Sequence, residues 1–175
     1  MQDVFRRARN IRVAAFDVDG VLTDGTLFYA DSGEELKAFN VRDGHGLKML
    51  KDGGVALAII SSRSSRSLEA RARNLGIDLL FQGAADKLAA FQELLGRCGV
   101  GAEACAYAGD DVVDLPVLKR CGLAVAVPEA PALVRRHAHH VTRARGGCGA
   151  VREICELILH AQGTLAARHA EYAER

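Results

Sequence analysis

The sequence predicts an α/β fold, a parallel sheet flanked by helices, on three observations. Short apolar or β-branched runs alternate with segments of helical period. Those runs are apolar almost throughout, as burial on both faces of a parallel sheet demands, and carboxylates gather where they end. Strands are expected at 12–16, 55–60, 78–81, 104–108, 123–127 and 140–142, and helices at 44–52, 65–75, 87–97, 112–120, 130–138 and 150–161.

The elements follow in chain order. The first strand ends at Phe16, directly before Asp17-Val18-Asp19-Gly20. From Val21 to Val41 the alternation is broken by two short runs, 26–29 and 36–41, joined by the turn-forming Ala30-Asp31-Ser32-Gly33, so a hairpin is inserted after the first strand. Leu27, Tyr29, Leu36 and Ala38 fall on one face and Phe28, Phe39 and Val41 on the other. Two strands alone are marginal, and a hairpin apolar on both faces seeks a partner, either a second subunit or its own domain. The second sheet strand ends before Ser61-Ser62-Arg63, and the third leads through a short loop to Lys87. In the helix that follows, Leu88, Phe91, Leu94 and Leu95 form one apolar stripe and Asp86 stands where an N-cap belongs. The run 104–108 opens onto Gly109-Asp110-Asp111-Val112-Val113-Asp114. Residues 1–163 read as one domain and 164–175 as a polar, loosely ordered tail.

Composition narrows the function. With 175 residues and 23 Lys+Arg against 22 Asp+Glu, the chain has room for one core and lacks the net charge that draws nucleic acid or anionic membranes. No apolar run approaches the roughly 18 residues that span a bilayer, and the N-terminal apolar stretch is too short for a signal peptide, so a cytoplasmic protein is expected. Five cysteines without a C-x-x-C pair argue against a disulfide framework or zinc site. His137, His139 and His140 straddle an element boundary without a ligand pattern.

In an open parallel sheet, ligands bind at the carboxyl ends of the strands, where Asp17, Asp19, Asp110, Asp111 and Asp114 converge. Such a cluster repels itself unless a cation sits among it, and oxygen ligands favour magnesium. A Ser61 hydroxyl and the Lys87 ammonium supply the positive side of a phosphate cradle. Asp111 and Asp114 are read as lying behind the ligands or as a direct ligand, Asp111 nearer the ion.

These residue types at four strand ends resemble the haloacid dehalogenase superfamily of aspartate-nucleophile phosphatases, over about Ile11 to Gly163. The resemblance implies a Rossmann-like sheet. It also implies that Asp17 attacks phosphorus, Asp19 acts as general acid and base, and Ser61 and Lys87 hold the phosphoryl group. Mg²⁺ would rest on Asp17, the Asp19 carbonyl and Asp110. The interval from Asp17 to Ser61 holds only the hairpin and one helix, and that from Ser61 to Lys87 is shorter, so no cap domain fits.

The stretches Val21-Leu22-Thr23-Asp24-Gly25, Asn40-Val41-Arg42-Asp43-Gly44-His45-Gly46, Phe81-Gln82-Gly83, Tyr107-Ala108-Gly109-Asp110-Asp111 and Arg145-Gly146-Gly147-Cys148-Gly149-Ala150-Val151-Arg152-Glu153 are similar to a capless family within that superfamily, the phosphatases of 3-deoxy-D-manno-octulosonate 8-phosphate. This implies an eight-carbon acid sugar phosphate as substrate, lipopolysaccharide precursor synthesis as context, and a homotetramer formed through the hairpins. Arg63 would bind the sugar carboxylate, where relatives acting on a nine-carbon acid sugar tend to carry an acidic residue; an ion-pair role for Arg63 is the other reading. Ser62 stands beside it in the cradle, and His45 is either a substrate contact or a helix-start residue. Ser61-Ser62 replaces the commoner Thr-Gly, and Cys148 stands at an often basic position. A phosphorylation-switched receiver domain is the alternative from another class; Asp19, a general acid/base that a long-lived switch is better without, argues for turnover. A phosphomutase would need the missing cap.

Overall fold

In the computed structural model, which describes residues 2–174, six strands run parallel in the order β5-β4-β1-β6-β7-β8. They are β1 (Val13–Phe16), β4 (Ala56–Ile60), β5 (Leu79–Phe81), β6 (Cys105–Gly109), β7 (Leu123–Ala126) and β8 (His140–Val141), while β2 (Phe28–Tyr29) and β3 (Glu35–Leu36) form a separate antiparallel hairpin. β1 sits between β4 and β6, with Ala15 opposite both Ala58 and Tyr107. Successive strands run outward in opposite directions from this centre, so the crevice of the fold opens at the carboxyl end of β1. β1, β6 and β7 are buried at every position, which accounts for their unbroken apolar runs.

Helices α1 (Gln2–Arg9), α2 (Val41–Asp52), α3 (Arg66–Leu75), α4 (Lys87–Cys98), α5 (Leu115–Leu118), α6 (Ala132–His137), α7 (Ala150–Ala161) and α8 (Leu165–Ala173) complete the chain. Asp86 caps α4 as its position predicts, accepting from the amides of Leu88 and Ala89 at 2.9 and 3.1 Å. Phe91 and Leu94 of its stripe are fully buried.

Three expectations need correction, and one helix was not expected. The second limb of the hairpin pairs only at Glu35–Leu36, and Val41 begins α2: the Asn40 side chain accepts from the Arg42 amide at 2.8 Å, and this cap overrides the strand preference of the β-branched Val41. The helix predicted at 112–120 is a tight turn over Val112–Asp114 followed by the four residues of α5, because the Asp114 carboxylate folds back onto the amides of Asp110 and Asp111. The N-terminal α1 buries Val4 and Ala8, one turn apart, and packs Phe5 partly against the core, its other residues being polar. The tail predicted to be loose forms α8, a helix with no buried residue.

Candidate active site

Asp17 leaves the end of β1 with its amide donating to the Ala108 carbonyl of β6 at 2.9 Å, so the strand ladder aims its side chain into the crevice. The chain then turns sharply at Gly20, whose φ of +90° no side-chain residue adopts cheaply and whose missing Cβ makes room for the Asp110 carboxylate. A glycine in D-x-D-G is thereby explained by contact: any larger residue would strike the second motif.

Behind Asp17 lies a buried polar network. The Lys87 ammonium, at the head of α4, donates to Asp17 Oδ1 at 2.9 Å and to Asp114 Oδ1 at 2.7 Å. Asp114, fully buried, also accepts from the Tyr107 hydroxyl at 2.6 Å and, through Oδ2, from the amides of Asp110 and Asp111 at 3.0 and 3.1 Å. Every lone pair of this carboxylate is directed at a donor, so Asp114 anchors Lys87 and shapes the loop after β6. Asp111 caps that loop through the Val112 amide at 2.7 Å. Oxygens of Asp17, Asp110 and Asp114 lie within 4.8 Å of one another, while Asp111 stands outside this group and lines the cavity above it.

The electrostatics of the cluster are those of a cation site. Burial, followed by the Asp114 charge, pushes the Asp17 carboxyl up to about 6 despite Lys87. Burial and the charges of Asp17 and Asp114 push Asp110 up to about 7. Burial alone would lower Lys87, and the two carboxylates carry it upward instead. With Asp114 saturated by hydrogen bonds, one ammonium faces two further carboxylates, and a divalent cation bound by Asp17 and Asp110 would relieve that imbalance. The donor set therefore fits Mg²⁺.

A cavity of about 280 Å³ opens over this floor, lined among others by Asp17, Asp19, Ser61, Ser62, Arg63, Lys87, Asp110 and Asp111. The structure thus gathers nearly all the predicted site residues. Ser61 is buried at the end of β4 and accepts from the Arg63 amide at 3.2 Å. Arg63 is half-exposed; its guanidinium meets Glu35 and donates to the Tyr29 hydroxyl at 3.0 Å. His45 stands apart: it does not line the cavity, and its ring meets Tyr172 of α8 edge-on at 4.8 Å. His139 accepts from the Ala124 amide at 2.9 Å, holding the edge of the sheet.

Two groups of residues escaped the sequence reading. Lys37, from the hairpin, reaches Asp19 and Glu35 with its side chain almost wholly enclosed. Its signal was a lone lysine in an apolar alternation. Asp43 is buried in α2 and accepts from the amides of Gly149 and Arg152 at 3.2 and 2.8 Å, capping α7, whose own N-cap residue, Gly149, has no side chain. Gly146 presses so closely on the Gly20 carbonyl that a Cβ would collide, and the Gly147 amide donates to Val21 at 2.9 Å. Asn40 to Gly46 and Arg145 to Gly149 together therefore form a brace behind the turn that carries Asp17 and Asp19.

Comparison with known proteins fits this geometry. The family described as haloacid dehalogenase-like hydrolase matches residues 44–122. The 3-deoxy-D-manno-octulosonate 8-phosphate phosphatase KdsC of Yersinia pestis is 52% identical over 163 residues, 93% of this chain and 87% of that protein. The chain belongs to the 3-deoxy-D-manno-octulosonate 8-phosphate phosphatase family. A family structure from Moraxella catarrhalis, in complex with magnesium, phosphate and KDO, superposes with a TM-score of 0.96 at 43% identity, covering 98% of this chain and 99% of that one. A probable yrbi family phosphatase from Pseudomonas syringae superposes at 0.98 with 53% identity, covering 100% and 99%. Among the described residues, no helix is long and apolar enough to cross a membrane.

Proposed function

We propose that this chain is a Mg²⁺-dependent phosphomonoesterase that releases phosphate from 3-deoxy-D-manno-octulosonate 8-phosphate, leaving the free sugar acid, in lipopolysaccharide precursor synthesis. The observation that carries this reading is the buried Asp17 carboxylate paired with Lys87 and facing Asp110 at the mouth of a cavity that also holds Asp19 and Ser61.

Asp17 and Asp110, with the Asp19 backbone carbonyl, would hold the ion. When bound, Mg²⁺ offsets the negative charge that otherwise keeps a carboxylate from approaching a phosphate dianion. Asp17 is the nucleophile: a bond forms from its carboxylate oxygen to phosphorus while the bond from phosphorus to the sugar oxygen breaks, and Asp19 gives that oxygen a proton. Asp19 then takes a proton from the water whose oxygen attacks the aspartyl-phosphate, which frees phosphate and restores both carboxyls. Ser61 donates to the transferring phosphoryl oxygens. Lys87 neutralises them and orients Asp17, held in turn by Asp114. Ser62 borders the same cradle, and Arg63 retains guanidinium donors for the sugar carboxylate beyond those engaged by Glu35 and Tyr29.

The hairpin supports association as a homotetramer. Leu27, Phe28, Tyr29 and Leu36 remain exposed and only two residue pairs join the strands, so this part of the apolar surface is not covered by the chain's own domain. A cytoplasmic location accompanies this reading. The decisive experiment is a phosphate-release screen over eight- and nine-carbon acid sugar phosphates and simple phosphomonoesters, with and without Mg²⁺. Preference for the eight-carbon substrate with Mg²⁺ is expected. Comparable turnover of all esters would overturn the substrate assignment, and Mg²⁺-independent turnover would overturn the ion's role.

A further inference from the structure

Lys37 lies one residue past β3, with its side chain only 1% exposed. Its ammonium contacts Asp19 Oδ1 and stands 2.8 Å from Glu35 Oε1. The remaining oxygens of these two carboxylates face Arg63, whose Nη2 contacts Glu35 Oε2 and whose Nε is 3.8 Å from Asp19 Oδ2. Four side chains thus close a ring of alternating charge, two from the hairpin and one each from the ends of β1 and β4. A surface ion pair contributes little because either partner is content in water. Lys37 has no such alternative, since an enclosed ammonium without its carboxylates would be left unsolvated. The ring is therefore a fixture that restricts where the Asp19 carboxyl points.

We infer that Lys37 is a positioning residue: with Glu35 behind it, it holds the Asp19 carboxyl at the angle from which a proton reaches the leaving oxygen. The hairpin is then part of the catalytic apparatus as well as a surface for association. This rests on Asp19 being the general acid of the proposed reaction, and the general acid matters in proportion to the basicity of the oxygen being expelled. An alkoxide requires the proton. A nitrophenolate departs largely without it. Because kcat/KM reports phosphoryl transfer to Asp17 and not the later hydrolysis, it isolates the step at which that proton is delivered.

The test compares β-glycerophosphate with p-nitrophenyl phosphate, neither of which offers a carboxylate to Arg63, at saturating Mg²⁺ for wild type, Lys37→Met, Lys37→Arg, Asp19→Asn and the charge-balanced Glu35→Gln/Lys37→Met. Thermal midpoints check the fold, and the double variant leaves no unpaired carboxylate at position 35. In both Lys37→Met backgrounds kcat/KM should fall at least about tenfold more for the alkyl than for the aryl ester, in the same sense as Asp19→Asn, with Lys37→Arg recovering part of the difference. Parallel losses on the two esters, beside a selective loss in Asp19→Asn, would overturn the role of Lys37 and leave the proposed reaction standing. An Asp19→Asn enzyme without selectivity would overturn the acid role itself, and the inference with it.

Discussion

The floor of the cavity and the hairpin above it are both charged and both border Asp19, yet they are built on opposite principles. On the floor, every group is held by the same chain: Asp114 is saturated by Lys87, Tyr107 and two amides, and Gly20 leaves room for Asp110. The hairpin satisfies its charges through Lys37, Glu35 and Arg63 on its inner side, while Phe28 and Leu36 lie half-exposed on the outer side. The polar network of the floor is thus closed by contacts within one chain, whereas the hairpin that meets Asp19 leaves an apolar surface exposed.

Breaking the floor should have the largest effect. Asp17→Asn is expected to lower kcat by about 10³-fold or more, and retention of even about a tenth of wild-type turnover would contradict a covalent intermediate. Asp114→Ala comes next. It leaves a buried ammonium and a buried hydroxyl short of a partner, so a loss of about 3–5 kcal/mol in denaturant unfolding is expected, together with a large fall in kcat. A loss under about 1 kcal/mol would show that Lys87 is held by other means.

Asp110→Asn sharpens the electrostatic side of the comparison. Without metal, the folded state holds the Asp110 proton more tightly than the unfolded chain does, so the group costs stability as pH rises from about 4 through about 7. The asparagine variant should therefore melt several degrees above wild type near pH 8 without Mg²⁺ and converge with it toward about pH 4. Mg²⁺ should raise the wild-type midpoint only. A variant less stable than wild type at high pH without metal would refute the strained cluster.

Breaking the hairpin should act on mass before chemistry. Leu27→Glu with Phe28→Glu is expected to yield smaller species in light scattering, and an unchanged mass would count against association through this surface. The smallest effect is expected at His45, which touches Tyr172 and not the cavity: His45→Ala should keep kcat and KM within about twofold. A larger rise in KM would return His45 to the substrate.

The same contrast explains what could be read from the residues alone. Asp17, Asp19, Ser61, Lys87 and Asp110 sit immediately after strands or at a helix start, so periodicity locates them and the parallel sheet brings their strand ends together. The separate parts of Asp111 and Asp114 were not legible, because they depend on which carboxylate turns inward to meet Tyr107 and Lys87, and spacing does not carry that information. Lys37 and Asp43 were missed for a related reason. Their partners are 18 residues and more than a hundred residues away, and a lone charge on a hairpin or helix reads as solvated until its neighbours are known. α1 and α8 escaped because both are short helices with few or no buried side chains.

The most direct measurement of nucleophilic attack by Asp17 is to quench the enzyme in acid during turnover with Mg²⁺, reduce with borohydride and map the peptides by mass. Aspartyl-phosphate is reduced to a hydroxyl side chain, and reduction at position 17 alone, absent without substrate, is the predicted result. Reduction at Asp19 or Asp110 instead, or no reduced residue in an enzyme that accumulates a phosphorylated state, would contradict it.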